Sequence, residues 1–329
     1  MQFKRALSRW KRWSVYFVLF VFFLIIVNFP YVLFYRLSKP VEFHVYEGES
    51  SGIVLQKLYK VYNTTPSLFV DLYYRLKNFD PKPGNYNLSG SFLDSICAIQ
   101  KGPDNIIKVT FPEGLRIKDM SLILKNDGYK KYKEYESIAY NDLKFFSKKY
   151  TFLQNINSNS LEGFLFPDTY FINKDASPYE IIDMQLDDFE KRVWPLIKEK
   201  KDYYDVLKLA SLVEGEAKVD RERPIIASVF LNRLKINMPL ESCASVEYFL
   251  PTHKDVLSYA DTRIESPYNT YLHYGLPPTP INSPSIKSIE AALHPANTKY
   301  LYFVAKGDGT HFFCRTYEEQ QAFIKSHGG

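Results

Sequence analysis

The stretch that decides the fold is residues 207–250, LKLASLVEGEAKVDRERPIIASVFLNRLKINMPLESCASVEYFL. Its first part is an apolar helical run that ends in two acids, Glu214 and Glu216, with a glycine between them. A turn rich in charge follows, and Pro224 then suits the first turn of a second helix. We predict a helix–turn–helix that presents one carboxyl group into a cleft, with residues 239–245 as a returning loop.

The two acids are predicted to face different sides of the first helix. With about 100° of rotation per residue, Glu216 falls inside the apolar arc of the helix, whereas Glu214 faces elsewhere. Gly215 allows the helix to end or loosen between them. An acid on an apolar face loses water, which disfavours its charged form, and a protonated acid is a candidate general acid. The alternative is that Glu216 lies past the helix end and reaches solvent or a basic residue between 218 and 223.

The second helix carries Asn232, a short amide with poor helix propensity. Such a residue can hold a sugar hydroxyl or orient a carboxyl group. The alternative is an asparagine that simply faces solvent.

The charge of the chain is concentrated in its first thirteen residues. Lys and Arg total 42 against 37 acids, and five of these basic residues precede residue 14. The remainder is therefore balanced, which argues against nucleic acid as a partner. Residues 14–35 follow as an apolar run without charge, long enough to span a bilayer. We predict a cytoplasmic tail at 1–13, an uncleaved transmembrane anchor at 14–36, and the rest of the chain outside the cytoplasm.

The cysteines and histidines indicate neither a disulfide framework nor a metal centre. The three cysteines are Cys97, Cys243 and Cys314, without a CxxC motif, and the six histidines lack ligand spacing. Cys243 lies in the predicted loop, and we interpret it as a structural thiol rather than a nucleophile. We predict no metal and no cofactor.

The remaining pattern predicts an α+β protein with two units beyond the anchor. Residues 40–104 follow a strand–helix–helix–strand order with a further helix. Residues 105–329 predict a strand at 106–111, a helix at 117–125, a long helix at 178–200, a helix at 285–293 and a terminal β-hairpin. Between them, residues 251–285 are a loop rich in proline, tyrosine and asparagine, where functional groups are often found.

Several motifs, in this order along the chain, resemble the YceG-like or MltG family of endolytic murein transglycosylases. They are LEGFLFPDTY at 161–170, ASLVEGEA at 210–217, ERPIIASVFLNRL at 222–234, SPYNTY at 266–271, GLPPTPI at 275–281, HPA at 294–296, YLYFVA at 300–305 and GTHFF at 309–313. The resemblance covers nearly all of the chain past the anchor. It implies a LysM-like module at 40–104 and a catalytic domain at 105–329.

The resemblance also implies the site. The second acid of its E-x-E motif, Glu216, would be catalytic. Matching positions would line a glycan cleft, namely Glu214, Asn232, Ser245, Tyr268, Asn269 and Tyr271. This chain departs from the family pattern Asp-Pro-Thr-Val, because it has Cys-Ala-Ser-Val at 243–246. The hydroxyl survives as Ser245, but no aspartate role transfers to Cys243.

The implied reaction cleaves the bond between N-acetylmuramic acid and N-acetylglucosamine and leaves 1,6-anhydro ends, which would terminate growing glycan strands. The implied partners are peptidoglycan strands, the lipid bilayer and peptidoglycan synthases, at the inner membrane. Two other classes stay open. One is a muramidase that adds water with Glu214, Glu162 or Asp168 as second carboxylate, and the other is a non-catalytic glycan-binding scaffold.

Overall fold

The computed structural model describes residues 35–37, 39–103, 105–252, 254 and 257–327, which form two compact units that meet in sequence after Ile106. The predicted cytoplasmic tail, and the predicted anchor as far as residue 34, lie outside the described residues. Within the described part, none of the helices has the length and apolar character that a membrane crossing requires.

The first unit has the predicted strand–helix–helix–strand order and a further helix. Its elements are β1 (Val41–Val45), α1 (Ser51–Val61), α2 (Leu68–Leu76), β2 (Gly84–Leu88) and α3 (Phe92–Lys101). The two strands are antiparallel, with Val41 opposite Leu88 and Val45 opposite Gly84. Ser91 caps α3 in a reciprocal capping box with Asp94. A compact α+β unit follows from this arrangement.

The second unit is also α+β, with far more residues in helices than in strands. It contains β3 (Ile106–Thr110), α4 (Ile117–Asn126), α5 (Tyr132–Asn141), α6 (Leu143–Phe146), β4 (Thr169–Asn173), α7 (Pro178–Arg192), α8 (Trp194–Ile197), α9 (Tyr203–Glu216), α10 (Arg223–Lys235), α11 (Cys243–Phe249), α12 (Ile286–Leu293), β5 (Tyr302–Ala305), β6 (His311–Cys314) and α13 (Tyr317–His327). Strands β3 and β4 pair, and β5 with β6 forms the predicted antiparallel hairpin.

Two predicted elements differ from the structure. The long helix predicted over 178–200 is two helices, because α7 ends at Arg192 and α8 starts at Trp194. Pro195 has no backbone N–H to donate within a helix, and its ring would clash with the carbonyl group of the preceding helical turn. One continuous helix is therefore disfavoured. The loop predicted over 239–245 is wrong in its last part, because α11 begins at Cys243.

Helix α9 is the centre of the second unit. Its residues Leu207, Leu209, Ala210, Leu212 and Val213 are buried, and it packs against α10, α11 and α12. Burying such apolar side chains contributes about 1.5–3 kcal/mol each. The packing places the C-terminal end of α9, with its two acids, against the first residues of α11 and α12.

Candidate active site

Glu216 is the last residue of α9, and its carboxyl group is held from one side. Its Oε1 accepts a hydrogen bond from Ser242 Oγ at 2.6 Å and another from the Ala244 backbone N–H at 3.1 Å. The side chain is half-buried. Among the described residues, no hydrogen-bond donor reaches its Oε2. One oxygen is therefore fixed by the protein, and the other is free to act on a ligand.

A glycine makes this arrangement possible. A Cβ on Gly215 would lie 2.5 Å from the Cβ of Ala244, closer than two carbon atoms can approach. The sequence predicted that α9 would end or loosen at Gly215, whereas the helix continues through it to Glu216. The glycine therefore serves the close approach of α9 to α11.

Glu214 points to a different helix, as the two-sided prediction requires. Its Oε2 accepts hydrogen bonds from the backbone N–H of Ser285 at 2.8 Å and from the Ser285 hydroxyl at 2.5 Å. The same oxygen lies 3.1 Å from Nη1 of Arg223, and the two side chains are only 8% and 10% exposed. The carboxyl group of Glu214 is thus enclosed. It braces α9, α10 and the start of α12.

A network of hydroxyl groups fixes the segment that holds Glu216. The Ser242 N–H donates to Thr270 Oγ1 at 3.0 Å, and Ser245 Oγ donates to the Ser242 carbonyl at 2.7 Å. Ser245 Oγ also lies 2.8 Å from Thr270 Oγ1. Ser245, predicted to line the glycan cleft, is fully buried. Its contacts fix Ser242, a residue that the sequence analysis did not single out.

Cys243 and Tyr271 flank Glu216. Cys243 Sγ lies 3.3 Å from the Tyr271 hydroxyl. Packing around the thiol, and then the negative charge of Glu216, raise the pKa of Cys243. Burial also raises the pKa of Tyr271, and its neighbours Cys243 and Glu216 add to this effect. Both groups are therefore neutral at neutral pH, so Cys243 is not a thiolate nucleophile. The described residues contain no cluster of histidine, cysteine or acidic side chains able to hold a metal ion.

The two asparagines that are predicted to line the glycan cleft donate hydrogen bonds to backbone carbonyl groups. Asn232 Nδ2 donates to the carbonyl oxygens of Thr298 and Tyr300, both at 3.0 Å. Asn269 is fully buried, and its Nδ2 donates to two carbonyls of residues 262–264 at 3.0 and 2.8 Å. Their amide hydrogens are engaged by the chain itself.

A further carboxyl group, that of Glu162, contacts α11. Glu162 is fully buried; its Oε1 accepts from the Ile117 N–H at 3.1 Å and its Oε2 from the Tyr248 hydroxyl at 3.3 Å. Burial raises the pKa of Glu162 to about 8. Tyr248 lies on α11 and its ring packs against Tyr268, with 4.6 Å between ring centroids. The hydroxyl group of Tyr268, a residue predicted to line the cleft, lies 3.0 Å from Thr279 Oγ1. Glu162 is therefore hydrogen-bonded to α11 through Tyr248.

A cavity of about 350 Å³ opens beside Gly215 and Ala244. Glu214, Tyr248 and Asn282 line it, together with Glu113, Gly114, Arg116, Asp119, Glu247 and Ile281. The cavity and the free oxygen of Glu216 thus lie on neighbouring parts of the α9–α11 contact.

The model of the YceG-like family matches residues 43–326. An endolytic murein transglycosylase of Bacillus subtilis is 44% identical over 173 residues, which cover 51% of this chain and 48% of that protein. One from Streptococcus pneumoniae D39 is 31% identical over 323 residues, 88% of this chain and 59% of that protein. This chain therefore matches about half to three-fifths of the length of these relatives.

The crystal structure of a YceG-like protein from Listeria monocytogenes has the same fold. It aligns with a TM-score of 0.59 and 29% sequence identity, covering 87% of this chain and 99% of that one. Because the family model extends over most of the sequence and a solved member has the same architecture, the chain belongs to the YceG-like family.

Proposed function

We propose that the protein is a peptidoglycan lytic transglycosylase with Glu216 as its catalytic acid and base. One observation carries the proposal: the carboxyl group of Glu216 is held through Oε1, while no donor among the described residues reaches its Oε2. The names of the two relatives support the same activity. A fixed carboxyl with one available oxygen can give a proton to a leaving group and later take one back.

In the proposed reaction, Glu216 donates its proton to the oxygen between N-acetylmuramic acid and N-acetylglucosamine. The bond from that oxygen to C1 of the muramic residue breaks, and the electron pair leaves with the oxygen. The 6-hydroxyl of the same residue then bonds to C1 and returns its proton to Glu216. The products are a 1,6-anhydro end and a new N-acetylglucosamine end. The internal hydroxyl has a high effective concentration, which replaces a water-activating second carboxylate.

The occupied state of the other acids supports a transglycosylase over a muramidase. A glycosidase that adds water generally uses two carboxyl groups across the scissile bond. Glu214 is bound to Ser285 and Arg223, Glu162 is fully buried, and Asp168 pairs with Arg192 at 2.9 Å. None of these three is placed like the free oxygen of Glu216.

For the other predicted site residues we propose two kinds of contribution. Tyr271 stands beside Glu216 with Cys243, and we propose that it contacts the sugar. Asn232, Ser245, Tyr268 and Asn269 are proposed to shape the cleft by holding its loops, because their polar groups are bonded within the protein. Glu214 is proposed to act in the same indirect way, through α12.

We further propose the arrangement along the chain that the sequence predicts. A basic tail at 1–13 lies in the cytoplasm, and an anchor at 14–36 crosses the inner membrane. A LysM-like module at 40–104 and the catalytic domain at 105–329 lie outside the cytoplasm. The strand–helix–helix–strand order of the first unit supports the module assignment. From that side of the membrane the enzyme would reach new glycan strands, terminate their elongation and meet peptidoglycan synthases.

The chemistry is tested by mass spectrometry of muropeptides after the detergent-solubilised full chain has digested purified peptidoglycan. We expect muropeptides with 1,6-anhydro ends, and none from Glu216→Gln. Reducing muramic ends from the wild type would identify a muramidase. Glycan binding without cleavage would identify a scaffold protein.

The topology is tested separately with a reporter that is active only outside the cytoplasm, fused after Gly329. We expect activity, and a mature chain that keeps its first residues. A chain that begins after Pro40 would contradict the uncleaved anchor.

A further inference from the structure

We propose that Ser242 is the positioning residue of the catalytic carboxyl group, and that Oε2 of Glu216 is the oxygen that exchanges the proton with the glycan. The inference rests on the proposed function, because it assigns roles to atoms within that reaction. It adds a residue that neither the sequence motifs nor the resemblance assigned.

The first support is the convergence of two donors on one oxygen. The Ser242 hydroxyl at 2.6 Å and the Ala244 N–H at 3.1 Å both reach Oε1 of Glu216. In a protonated carboxyl group the carbonyl oxygen is the stronger acceptor, and the hydroxyl oxygen is the donor. Two donors on Oε1 therefore keep the proton on Oε2. This is the oxygen without a donor among the described residues.

The second support is the rigidity of Ser242. The residue is 1% exposed, its N–H is bonded to Thr270 Oγ1, and its carbonyl accepts from Ser245 Oγ. Because the backbone N–H and carbonyl of Ser242 are both hydrogen-bonded, its side chain loses little further conformational freedom when it donates to Glu216. The hydroxyl is thus prepared for Oε1 before the glycan binds.

Positioning by Ser242 serves both proton transfers. When Oε2 releases its proton, negative charge spreads to Oε1, where hydrogen bonds to a charged acceptor are stronger than those to a neutral one. When Oε2 later takes a proton from the 6-hydroxyl, the same two donors keep the carboxyl group in its original orientation. Without Ser242, only the longer bond from Ala244 remains, and the carboxyl group can rotate.

The test compares Ser242→Ala with Ser242→Thr, which keeps a hydroxyl group. Anhydro-end formation is followed with the full chain. We expect Ser242→Ala to lower kcat about 10- to 100-fold, the loss typical of one hydrogen bond to a charged group. KM should change little, because Ser242 is 1% exposed and its hydroxyl is bonded to Glu216. Ser242→Thr should recover most of kcat.

The matched control is Ser121→Ala, which removes a hydroxyl from another buried serine. Ser121 is fully buried on α4, and its hydroxyl donates to the Tyr132 carbonyl at 3.2 Å. The variant should keep the wild-type kcat. Wild-type kcat in Ser242→Ala, or equal losses in Ser242→Ala and Ser121→Ala, would overturn the proposal.

A spectroscopic measurement keeps the proposal testable without turnover. The side-chain carboxyl carbon of Glu216 in ¹³C-glutamate-labelled protein is assigned by its loss in Glu216→Gln. We expect its resonance to move in Ser242→Ala and to stay in Ser121→Ala. An unmoved resonance would refute the positioning. If the wild type makes no anhydro ends, the proposed function fails, and the resonance still decides whether Ser242 holds the carboxyl group.

Discussion

Gly215 and Ala244 approach each other so closely that a Cβ on Gly215 would lie 2.5 Å from the Ala244 Cβ. Gly215 belongs to the last turn of α9, and Ala244 to the first turn of α11. The Ala244 N–H reaches Glu216 because these two backbones are in contact. The hydrogen bonding of Glu216, the proposed catalytic residue, therefore depends on the absence of a side chain at Gly215.

We expect Gly215→Ala to impair cleavage although alanine is the better helix former. The new methyl group must push α11 away from α9 and carry Ser242 and Ala244 with it. A displacement near 1 Å at a catalytic group typically costs about 100-fold in rate. Anhydro-end formation measures the loss. The control is Gly52→Ala in α1, where a Cβ meets no atom within 4 Å. Wild-type cleavage by Gly215→Ala would mean that the contact is unimportant.

Glu214 and Glu216 should separate stability from catalysis. Glu216→Gln removes the proton carrier, which typically costs about 10²–10⁴-fold in rate with little effect on folding. Glu214→Gln leaves the buried Arg223 without its closest carboxylate and should lower the free energy of unfolding by about 3 kcal/mol.

Urea unfolding and the cleavage rate distinguish these effects. At a temperature where both variants are folded, Glu214→Gln should retain most of its cleavage. The reverse pattern, an inactive Glu214→Gln beside an active Glu216→Gln, would show that the catalytic acid is Glu214 and that the assignment to Glu216 is wrong. If both variants cleave normally, the catalytic carboxyl group lies outside this motif.

The buried Glu162 should make stability depend on pH. Burial raises its pKa from 4.5 to about 8, so the folded chain keeps a proton that the unfolded chain releases. Its contribution to stability is therefore complete below pH 4.5 and is lost as the pH rises toward 8. Urea unfolding across this range should show a falling free energy, and Glu162→Gln should flatten the slope. Exposed Glu134 provides the control substitution, and an unchanged slope in Glu162→Gln would contradict the assignment.

Cys243 should be dispensable and slow to react. Packing and the charge of Glu216 raise the pKa of its thiol, so little thiolate exists at neutral pH. We expect Cys243→Ala to keep most of the cleavage. Cys97 and Cys243 are both exposed, and iodoacetamide should label Cys97 first because the pKa of Cys243 is raised. A loss as complete as that of Glu216→Gln would instead place the thiol in the reaction.

The sequence predicted those parts of the fold and site that depend on local spacing. The order of the first unit, the terminal hairpin and the divergent directions of Glu214 and Glu216 follow from periodicity, caps and turn residues. These signals lie within a few residues of one another.

The part that could not be predicted depends on distant partners. Helix α11 is short and consists mostly of residues with weak helix propensity, and Arg116, 131 residues before Glu247, donates to the Glu247 carbonyl near the C-terminal end of this helix. Ser242 likewise has no local signal, because its importance comes from Glu216, 26 residues before it. Tertiary contacts override propensity at such positions.

The brace between Glu214 and Ser285 also bears on when the protein becomes active during synthesis. The two residues are 71 positions apart, whereas Glu216 and Ser242 are separated by 26. A nascent chain that ends before Ser285 contains Glu216 and both of its donors, but neither α12 nor the brace that α12 completes. Because long-range contacts form late, the carboxyl group is expected to reach its working geometry only when the last third of the catalytic domain has folded. Glycan cleavage by the proposed site would thus begin only after the chain has been made through α12.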